Sequence, residues 1–471
     1  MCVCSAGISS VAEICPRCDK LSGESRKQPD STAGRIDGVA ANTWPSVPYA
    51  SYVVALLLLA YVFSFLDRQI LALLVEPVKA DLELSDTQLS VLHGFAFAFL
   101  YTIVGIPIGR LVDTGDRRHI VGAGIAFWSL MTAACGLARG FWSLFAFRVG
   151  VGVGEATLTP SAYSLISDYF PPSSRARALA VYSLGITAGG GLALIIGGQI
   201  YDQLAAIGNV DVPVLGTLRP WQLTFVLVGL PGLLLAGTIY TIREPVRRGT
   251  LKSKDGKTGT TLVETIRFFR EHRSLYLNLF AGFGLLSMTS YAFVWLPAFF
   301  YRKFAWSPGE YGTYVGWITI GFGSFGILAG GWLSDYLLKR RRDAVLITLF
   351  GFASLSVVFA VATTLWSTPI AVLAVYSGTT FFLMAPFGLA PAAIQSVTPN
   401  EMRGVASALY LFIMNLLGLG LGPTVVALVT DYVLQDESQL GISISIVCAV
   451  LGPAALVFFH RARNPYLSRL A

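Results

Sequence analysis

Charge is scarce in this chain: only 13% of its 471 residues are Asp, Glu, Lys or Arg. Histidine numbers four and cysteine six. With 54% apolar residues and a mean hydropathy of +0.64, a soluble globular protein is excluded. No Walker A sequence is present, so ATP does not drive the protein directly. There is no HExxH pair and no nucleophile elbow, and His93, His119, His272 and His460 are scattered. Neither an enzyme nor a bound cofactor or metal is therefore expected. No apolar core follows Met1, so no signal peptide is expected. Cys2, Cys4, Cys15 and Cys18 form a CxC and a CPRC that could ligate zinc, but the spacing is not that of a standard knuckle. Cys135 and Cys448 stand alone in apolar stretches, as small packing residues do.

What the chain has in abundance is long apolar runs. Twelve stretches approach the roughly 20 residues that a hydrocarbon layer about 30 Å thick demands of a helix. They fall near 51–75, 88–111, 119–138, 141–166, 178–202, 220–242, 275–300, 311–337, 344–365, 368–396, 403–431 and 441–460. An all-α membrane protein follows. Its 48 glycines and 22 prolines suit membrane helices, where backbones approach closely and neighbours absorb kinks. The net charge of +7 does not indicate nucleic acid, because the basic residues collect on one side. The other side carries only Lys79, Arg139, Arg219, Arg302 and Lys303. The positive-inside rule then places both termini in the cytoplasm, in a bacterial inner membrane.

The chain is also written twice. GRLVDTGDRR from Gly109 recurs as GWLSDYLLKRR from Gly331, 222 positions later, and the same offset carries Ser85 onto Ser307. A second echo links DYFPPSSRARALA to SVTPNEMRGVASA. Duplication of this kind marks a two-lobed carrier. The expected organisation is a disordered tail (1–49), a six-helix lobe (50–245), a linker (246–273), a second six-helix lobe (274–463) and a short tail (464–471). Within the linker, TLVETIRFFREHR places Leu262, Ile266 and Phe269 on one face, as in an interfacial helix or an ordinary loop helix.

Charges inside membrane helices cost about 2.5 kcal/mol or more at mid-depth, so each needs a reason. Asp67 and Arg68 lie in FSFLDRQIL, and Arg148 and Glu155 in FRVGVGVGEATLTP. Arg148 and Glu155 are two turns apart, about 10 Å along one face. Counting from the helix ends puts Asp67 level with Arg148, which predicts an Asp67–Arg148 contact with Glu155 deeper. Asp67, Glu155 and Arg148 are the expected proton-coupling residues, and Arg68 and Arg148 the groups that meet an anionic substrate. A static ion pair between packed helices is the plainer alternative.

The matching helices of the second half carry no mid-depth charge. They offer Ser290, Tyr291, Trp295, Thr379, Phe381, Phe382 and Gln395 as substrate contacts. Charges on one wall and aromatics on the other suit an amphipathic solute. The repeated turns assign Gly109, Asp113, Arg117, Arg118, Gly331, Asp335 and Arg340 to gating, with the glycines permitting close helix approach and the aspartates pairing with basic residues. Gly150, Gly152 and Gly154 mimic a dinucleotide loop but sit inside an apolar span, where helix packing explains them.

Across 50–463 the chain resembles a major facilitator superfamily transporter. The turn GRLVDTGDRR is similar to that superfamily's loop between its second and third helices. It departs from the usual form at Thr114, where a basic residue is common, and at Asp116. FLDRQIL together with RVGVGVGEA resembles the Spinster group. The resemblance implies the major facilitator fold: twelve transmembrane helices in two pseudo-symmetric six-helix bundles, with the first, fourth, seventh and tenth lining a central cavity. It implies alternating access, and for Spinster relatives the movement of lysophospholipids and sphingoid lipid phosphates, in several cases linked to protons. Asp67, Arg68, Arg148 and Glu155 match that group's charged core. The expectation is a monomeric proton-coupled carrier of a small amphipathic, lipid-like substrate that binds no nucleic acid. A symporter of small organic anions such as sugar acids is one alternative. A non-transporting sensor that signals through the Cys-rich tail is another.

Overall fold

The structure is a computed structural model that describes residues 44–213, 216–247, 262–399 and 402–470. The Cys-bearing stretch considered above as a zinc ligand set lies outside those residues. So does the central part of the linker. Helix 1 is Val47–Leu73, with a short helix, Val75–Leu82, at its end. Helix 2 runs through Asp86–Ser90, Val91–Phe95 and Ala96–Thr114, and helix 3 is Arg117–Cys135. Helix 4 is broken into Phe141–Glu155 and Leu158–Tyr169. The break falls where Pro160 has no N–H to offer the carbonyl of Ala156. Helix 5 comprises Pro172–Ser183 and Gly185–Ile207, and helix 6 Pro220–Gly229 and Pro231–Ile239.

The second lobe repeats the plan. Helix 7 joins Arg273–Tyr291, Ala292–Trp295 and Leu296–Phe304. Helix 8 joins Pro308–Ile318, Thr319–Gly323 and Ser324–Leu338. Helix 9 is Ala344–Thr363 and helix 10 Pro369–Val397. Helix 11 runs from Arg403–Ile413 through Met414–Leu421 and Gly422–Leu428 to Val429–Leu434, and helix 12 is Leu440–Leu470. Ten of these are long and apolar enough to cross a membrane. Helix 3, which starts on Arg117, Arg118 and His119, and the interrupted helix 4 complete the twelve.

The duplication extends to backbone conformation. Ser85 and Ser307 each cap a helix through a reciprocal box, with Gln88 and Glu310 as the returning side chains. Two residues before each cap, Glu83 and Ala305 both adopt positive φ, at 50° and 56°. Among the described residues only Gln435 joins them outside glycine. One feature has no forerunner in the sequence reading: a small antiparallel hairpin, Val210–Val212 with Gly216–Leu218, between helices 5 and 6. The predicted linker helix exists as Leu262–Glu271. Phe268 and Phe269 pack against Tyr276 of helix 7, and Arg469 lies over Phe268, so these two rings are turned to protein.

The two lobes meet mainly along helices 5 and 8 and along helices 2 and 11. Helices 5 and 8 touch backbone to backbone: a Cβ on Gly312 would overlap the carbonyl of Leu194. The end where helix 1 starts, helix 12 finishes and Leu262–Glu271 lies is termed the linker end, and its opposite the far end. Among the described residues, polar bonds between lobes run from mid-depth, where Thr187 meets Ser324 at 2.8 Å, out to the far end. There Arg302 of helix 7 grips both oxygens of Asp86 at 2.7 and 2.8 Å and reaches Glu76 at 2.7 Å. Lys79 bridges Asp86 at 2.7 Å and Glu437 at 2.5 Å. Asp431 accepts from the backbone N–H and the hydroxyl of Thr87, and Ser307 donates to Asp202 at 2.5 Å. Burial raises the Glu76 carboxyl above its ordinary range, and the Arg302 charge only partly offsets this. Among the described residues no polar bond joins the lobes at the linker end, so the far end is sealed and the linker end is not.

Two substitutions test that seal. Gly312→Val wedges helices 5 and 8 apart, and Arg302→Gln removes the two-pronged clamp. Truncating one partner of a desolvated pair typically shifts an equilibrium by roughly tenfold or more. Spin labels on Ala206→Cys and Tyr432→Cys, one at the far end of each lobe on a cysteine-free background, are expected to report longer separations in both variants. Unchanged distances in both would remove the seal's claim to hold this end shut.

Candidate functional site

Between the lobes lies a cavity of about 220 Å³. Helix 1 contributes Phe65, Arg68, Gln69 and Ala72, and helix 7 contributes Ser290, Tyr291, Phe293, Val294 and Pro297. Helices 2, 5, 8, 10 and 11 supply the remainder. Helix 4 supplies none, which corrects the expectation that helices 1, 4, 7 and 10 form the lining. Helix 4 instead stands behind helix 1 and holds its arginine from the rear. Pro297 withholds an N–H from the Phe293 carbonyl, and the helix tightens over Ala292–Trp295 just where Ser290 and Tyr291 meet the cavity.

Arg68 is the one arginine or lysine of this lining. Its Nε donates to Glu155 Oε2 at 2.5 Å, and Ser64 Oγ donates to the same oxygen at 2.6 Å. Its guanidinium lies over Phe97 at 4.8 Å, Tyr101 at 5.3 Å and Phe65 at 5.4 Å. The Glu155 side chain has no exposure, whereas that of Arg68 keeps 21%. The pair thus joins a buried carboxylate to a cavity-facing cation. Glu155 Oε1 is buried without a hydrogen-bond partner.

The predicted Asp67–Arg148 ion pair is not present. Arg148 Nη1 donates to the main-chain carbonyl of Asp67 at 2.9 Å, and its Nε is buried without a partner. The reason is the helical twist of about 100° between neighbours. Arg68 points to the cavity and Glu155, while the Asp67 carboxyl turns toward Trp128 and Thr132 of helix 3. Asp67 and Arg148 are nonetheless within 2% of full burial, side by side with the Arg68–Glu155 pair. All four charges flagged by the sequence therefore converge, but with a different pairing.

Of the second-lobe candidates, Ser290, Tyr291 and Thr379 line the cavity. Trp295 does not: it is buried in its own lobe and donates to the Pro423 carbonyl at 2.9 Å. Phe381 and Phe382 turn away to pack on Phe352, and Phe382 also on Phe359, so neither faces the hollow. Gln395 is exposed at the linker end of helix 10, where its carbonyl accepts from Arg403. On a helix with period 3.6, Thr379 and Phe381 face nearly opposite ways, and the sequence alone could not say which faced inward. Cavity residues that the sequence reading did not assign include Gln69 on helix 1, His93 on helix 2 and Tyr376 and Thr380 on helix 10. For His93 the available signal was a lone histidine in an apolar run.

The gating residues are rearranged too. A Cβ on Gly109 or on Gly331 would meet nothing within 4 Å, so neither glycine permits a close approach in this state. Arg117 is fully buried and clamped between Asp168 at 2.5 Å and Glu244 at 2.6 Å, all within its own lobe. Arg118 pairs with Asp116 at 3.2 Å, and Asp116 caps helix 3 through the His119 N–H. Slight burial pushes the Asp116 carboxyl up, but bonds from His119 and the Arg118 charge hold it below the usual range. Asp116, one of the two departures from the usual turn, thus caps this helix and pairs with a basic residue, as Asp113 was expected to pair. Asp113 is exposed, and its carbonyl is held by Arg247, which also binds the carbonyls of Val112 and Gly115. In the second lobe Asp335 and Arg340 are exposed, with Arg340 stacked on Tyr336. Asp343 is the anchored acid there, held at 3.1 Å by Arg341 and 3.2 Å by Arg463, which keep its carboxyl below the usual range against the effect of burial.

Comparison with known proteins accords with this geometry. The family model described as Major Facilitator Superfamily matches residues 57–423. An MFS-type efflux pump of Mycolicibacterium smegmatis is 29% identical over 88% of this chain and 92% of its own length. A hexuronate transporter of Bacillus subtilis is 27% identical over 80% of this chain and 87% of its own. A solved bacterial homolog of the human lysosomal transporter Spinster, inward-facing and unoccupied, superposes with a TM-score of 0.72 and 27% identity. That match covers 90% of this chain and 98% of the other. The paired lobes, the shared hollow and the charged core are thus those of a multi-pass membrane transporter: the chain belongs to the Major Facilitator Superfamily and within it is similar to the Spinster proteins.

Proposed function

We propose that this protein is a proton-coupled secondary carrier of an amphipathic, anionic, lipid-like molecule, working by alternating access in a bacterial inner membrane. The observation that carries the reading is the Arg68–Glu155 pair, with its cation facing a largely apolar cavity and its carboxylate fully buried. An anionic head group competes with Glu155 for the one guanidinium of the lining. When it takes Arg68, Glu155 is left as an uncompensated buried carboxylate, a state several kcal/mol costly. Proton uptake relieves it. Arg68, not Arg148, is then the partner-switching residue. Arg148 steadies the helix 1 backbone, and Asp67 serves as a second protonatable group behind it. Ser290, Tyr291 and Thr379 complete the substrate contacts, while the aliphatic tail lies along the apolar lining.

The distribution of basic residues supports cytoplasmic termini, and with them a linker end that opens to the cytoplasm in this state. A monomer suffices, since both lobes and the whole cavity belong to one chain. The likeness to a hexuronate transporter favours a second reading, a small sugar-acid anion at the same arginine. The apolar residues that make up most of the lining favour the lipid-like substrate.

Glu155→Gln keeps the shape and hydrogen bonding of the side chain but cannot cycle a proton. In proteoliposomes it is expected to lose the pH dependence of transport, with melting temperature within a few degrees of the parent. Proton dependence that survives intact refutes the coupling role. Arg68→Lys retains charge without the planar fork and is expected to raise KM at least tenfold. Substrate identity is decided by competition in a single uptake assay: lysophospholipid is expected to inhibit and hexuronate not, and the reverse outcome selects the sugar-acid reading.

A further inference from the structure

In the first lobe, the junction where helix 3 starts beside the chain leaving helix 6 is closed on itself. Arg117 is fully buried there between Asp168 and Glu244, one cation answered by two acids. The second lobe inverts the signs at the corresponding junction of helices 9 and 12. One acid, Asp343 at the start of helix 9, is shared by two cations, Arg341 at 3.1 Å and Arg463 of helix 12 at 3.2 Å. Asp343 is buried, whereas both arginines keep nearly half of their side-chain surface open. Two guanidiniums on one carboxylate leave one positive charge unanswered.

That charge borders a hollow of about 260 Å³ between helices 9 and 12. Its polar members, Arg341, His460 and Arg463, are exposed, and its apolar members Leu346 and Phe459 are buried beneath them. Both arginines reach Asp343 through Nε, and among the described residues neither η nitrogen of Arg463 makes a hydrogen bond. A planar fork with open η nitrogens fits the oxygens of a phosphate. Away from the linker end, the helix 12 face of His460 continues as Val457, Val450 and Ile446, all exposed and at helical spacing. The helix 9 face of Phe350 continues likewise to exposed Val358. A basic hollow thus heads an apolar stripe. A second copy packed symmetrically on this face would set cation against cation.

We infer that this hollow holds the phosphodiester head group of an anionic phospholipid from the surrounding leaflet, with its acyl chains along the stripes of helices 9 and 12. A phosphodiester carries one negative charge, which matches the one left over. Arg341 and Arg463 take its oxygens, and His460, which has an N–H in either tautomer, donates to the head group. A zwitterionic lipid brings its own cation against the arginines and loses that match. The placement agrees with the proposed cytoplasmic linker end, because basic pockets between helices on that side bind anionic head groups. The hollow belongs wholly to the second lobe and shares no residue with the central cavity, so the bound lipid is a fixture of that lobe and not the cargo.

The test titrates the purified full chain, in dodecyl maltoside, with dioleoyl phosphatidylglycerol, dioleoyl phosphatidylcholine or glycerol 3-phosphate. Binding is read from the concentration dependence of the melting temperature. Phosphatidylglycerol is expected to raise it saturably, and the other two at equal concentration are not. Arg463→Gln is expected to weaken the apparent affinity for phosphatidylglycerol roughly tenfold. Arg461→Gln, an exposed neighbour outside the hollow, is expected to leave it unchanged, as is Arg68→Gln in the central cavity. Equal protection by the two lipids, or an equal loss in Arg461→Gln, reduces the effect to general surface charge and overturns the assignment. Protection by glycerol 3-phosphate as strong as by the lipid assigns the hollow to a free anion and overturns it too. So does a response lost in Arg68→Gln but kept in Arg463→Gln, which would place the lipid in the central cavity. Should Arg463→Gln fail to fold, Ile347→Trp fills the hollow while keeping every charge, and an undiminished affinity there is equally fatal.

Discussion

The arrangement turns on one guanidinium with two faces. Arg68 presents its Nε to Glu155 and lies over the rings of Phe65, Phe97 and Tyr101, and it is the charged group of helix 1 that the cavity can reach. Removing such a group from water is tolerable only because the carboxylate and three aromatic rings replace hydration. The carboxylate in turn depends on the cation, since Ser64 alone could not compensate a buried charge. Helix 4 therefore contributes to the site without lining it.

The lobes constrain how that pair is reached. They are bound from mid-depth to the far end by backbone contact at Gly312 and by the Arg302–Asp86–Glu76 cluster, and they are parted where Gly109 and Gly331 face open space. A single rotation about the mid-depth contact would exchange which end is sealed. The glycines at the linker end, idle in this state, are placed where helices would meet after that exchange. Their conservation of position across the repeat is then a property of the alternate state.

Much of this was legible in the sequence, and what was not has identifiable causes. Hydropathy yields the twelve helices, and the 222-residue offset pairs the turns and Ser85 with Ser307; the reciprocal boxes and the positive-φ residues before them emerge only in the structure. Intramembrane charge singled out Asp67, Arg68, Arg148 and Glu155, because lipid penalises each unless something answers it. Which of them pair was beyond reach. Asp67 and Arg68 are neighbours, a rotation of about 100° decides which one faces helix 4, and depth counting cannot resolve rotation. The same limit misplaced Trp295, Phe381 and Phe382. Gln69, His93, Tyr376 and Thr380 were not assigned to the cavity because a cavity leaves no periodic trace in the sequence.

The two halves share a backbone but not a chemistry, and the comparison of equivalent positions shows why. Shifting Asp67, Arg68 and Gln69 by the repeat offset gives Thr289, Ser290 and Tyr291. Arg68 and Ser290 line the same cavity from opposite lobes, as do Gln69 and Tyr291. Twofold geometry thus aims matching positions of the two copies into one hollow, and only one copy arms them with charge. Charging both would set cation against cation across a cavity of low dielectric, a repulsion that would hold the lobes apart and block the exchange of sealed ends. In the proposed cycle, neutral donors on the second lobe would follow a bound molecule through that exchange without competing for the proton. Under the proposed coupling, asymmetry on a symmetric frame would let one lobe carry the titrating pair while the other moves past it.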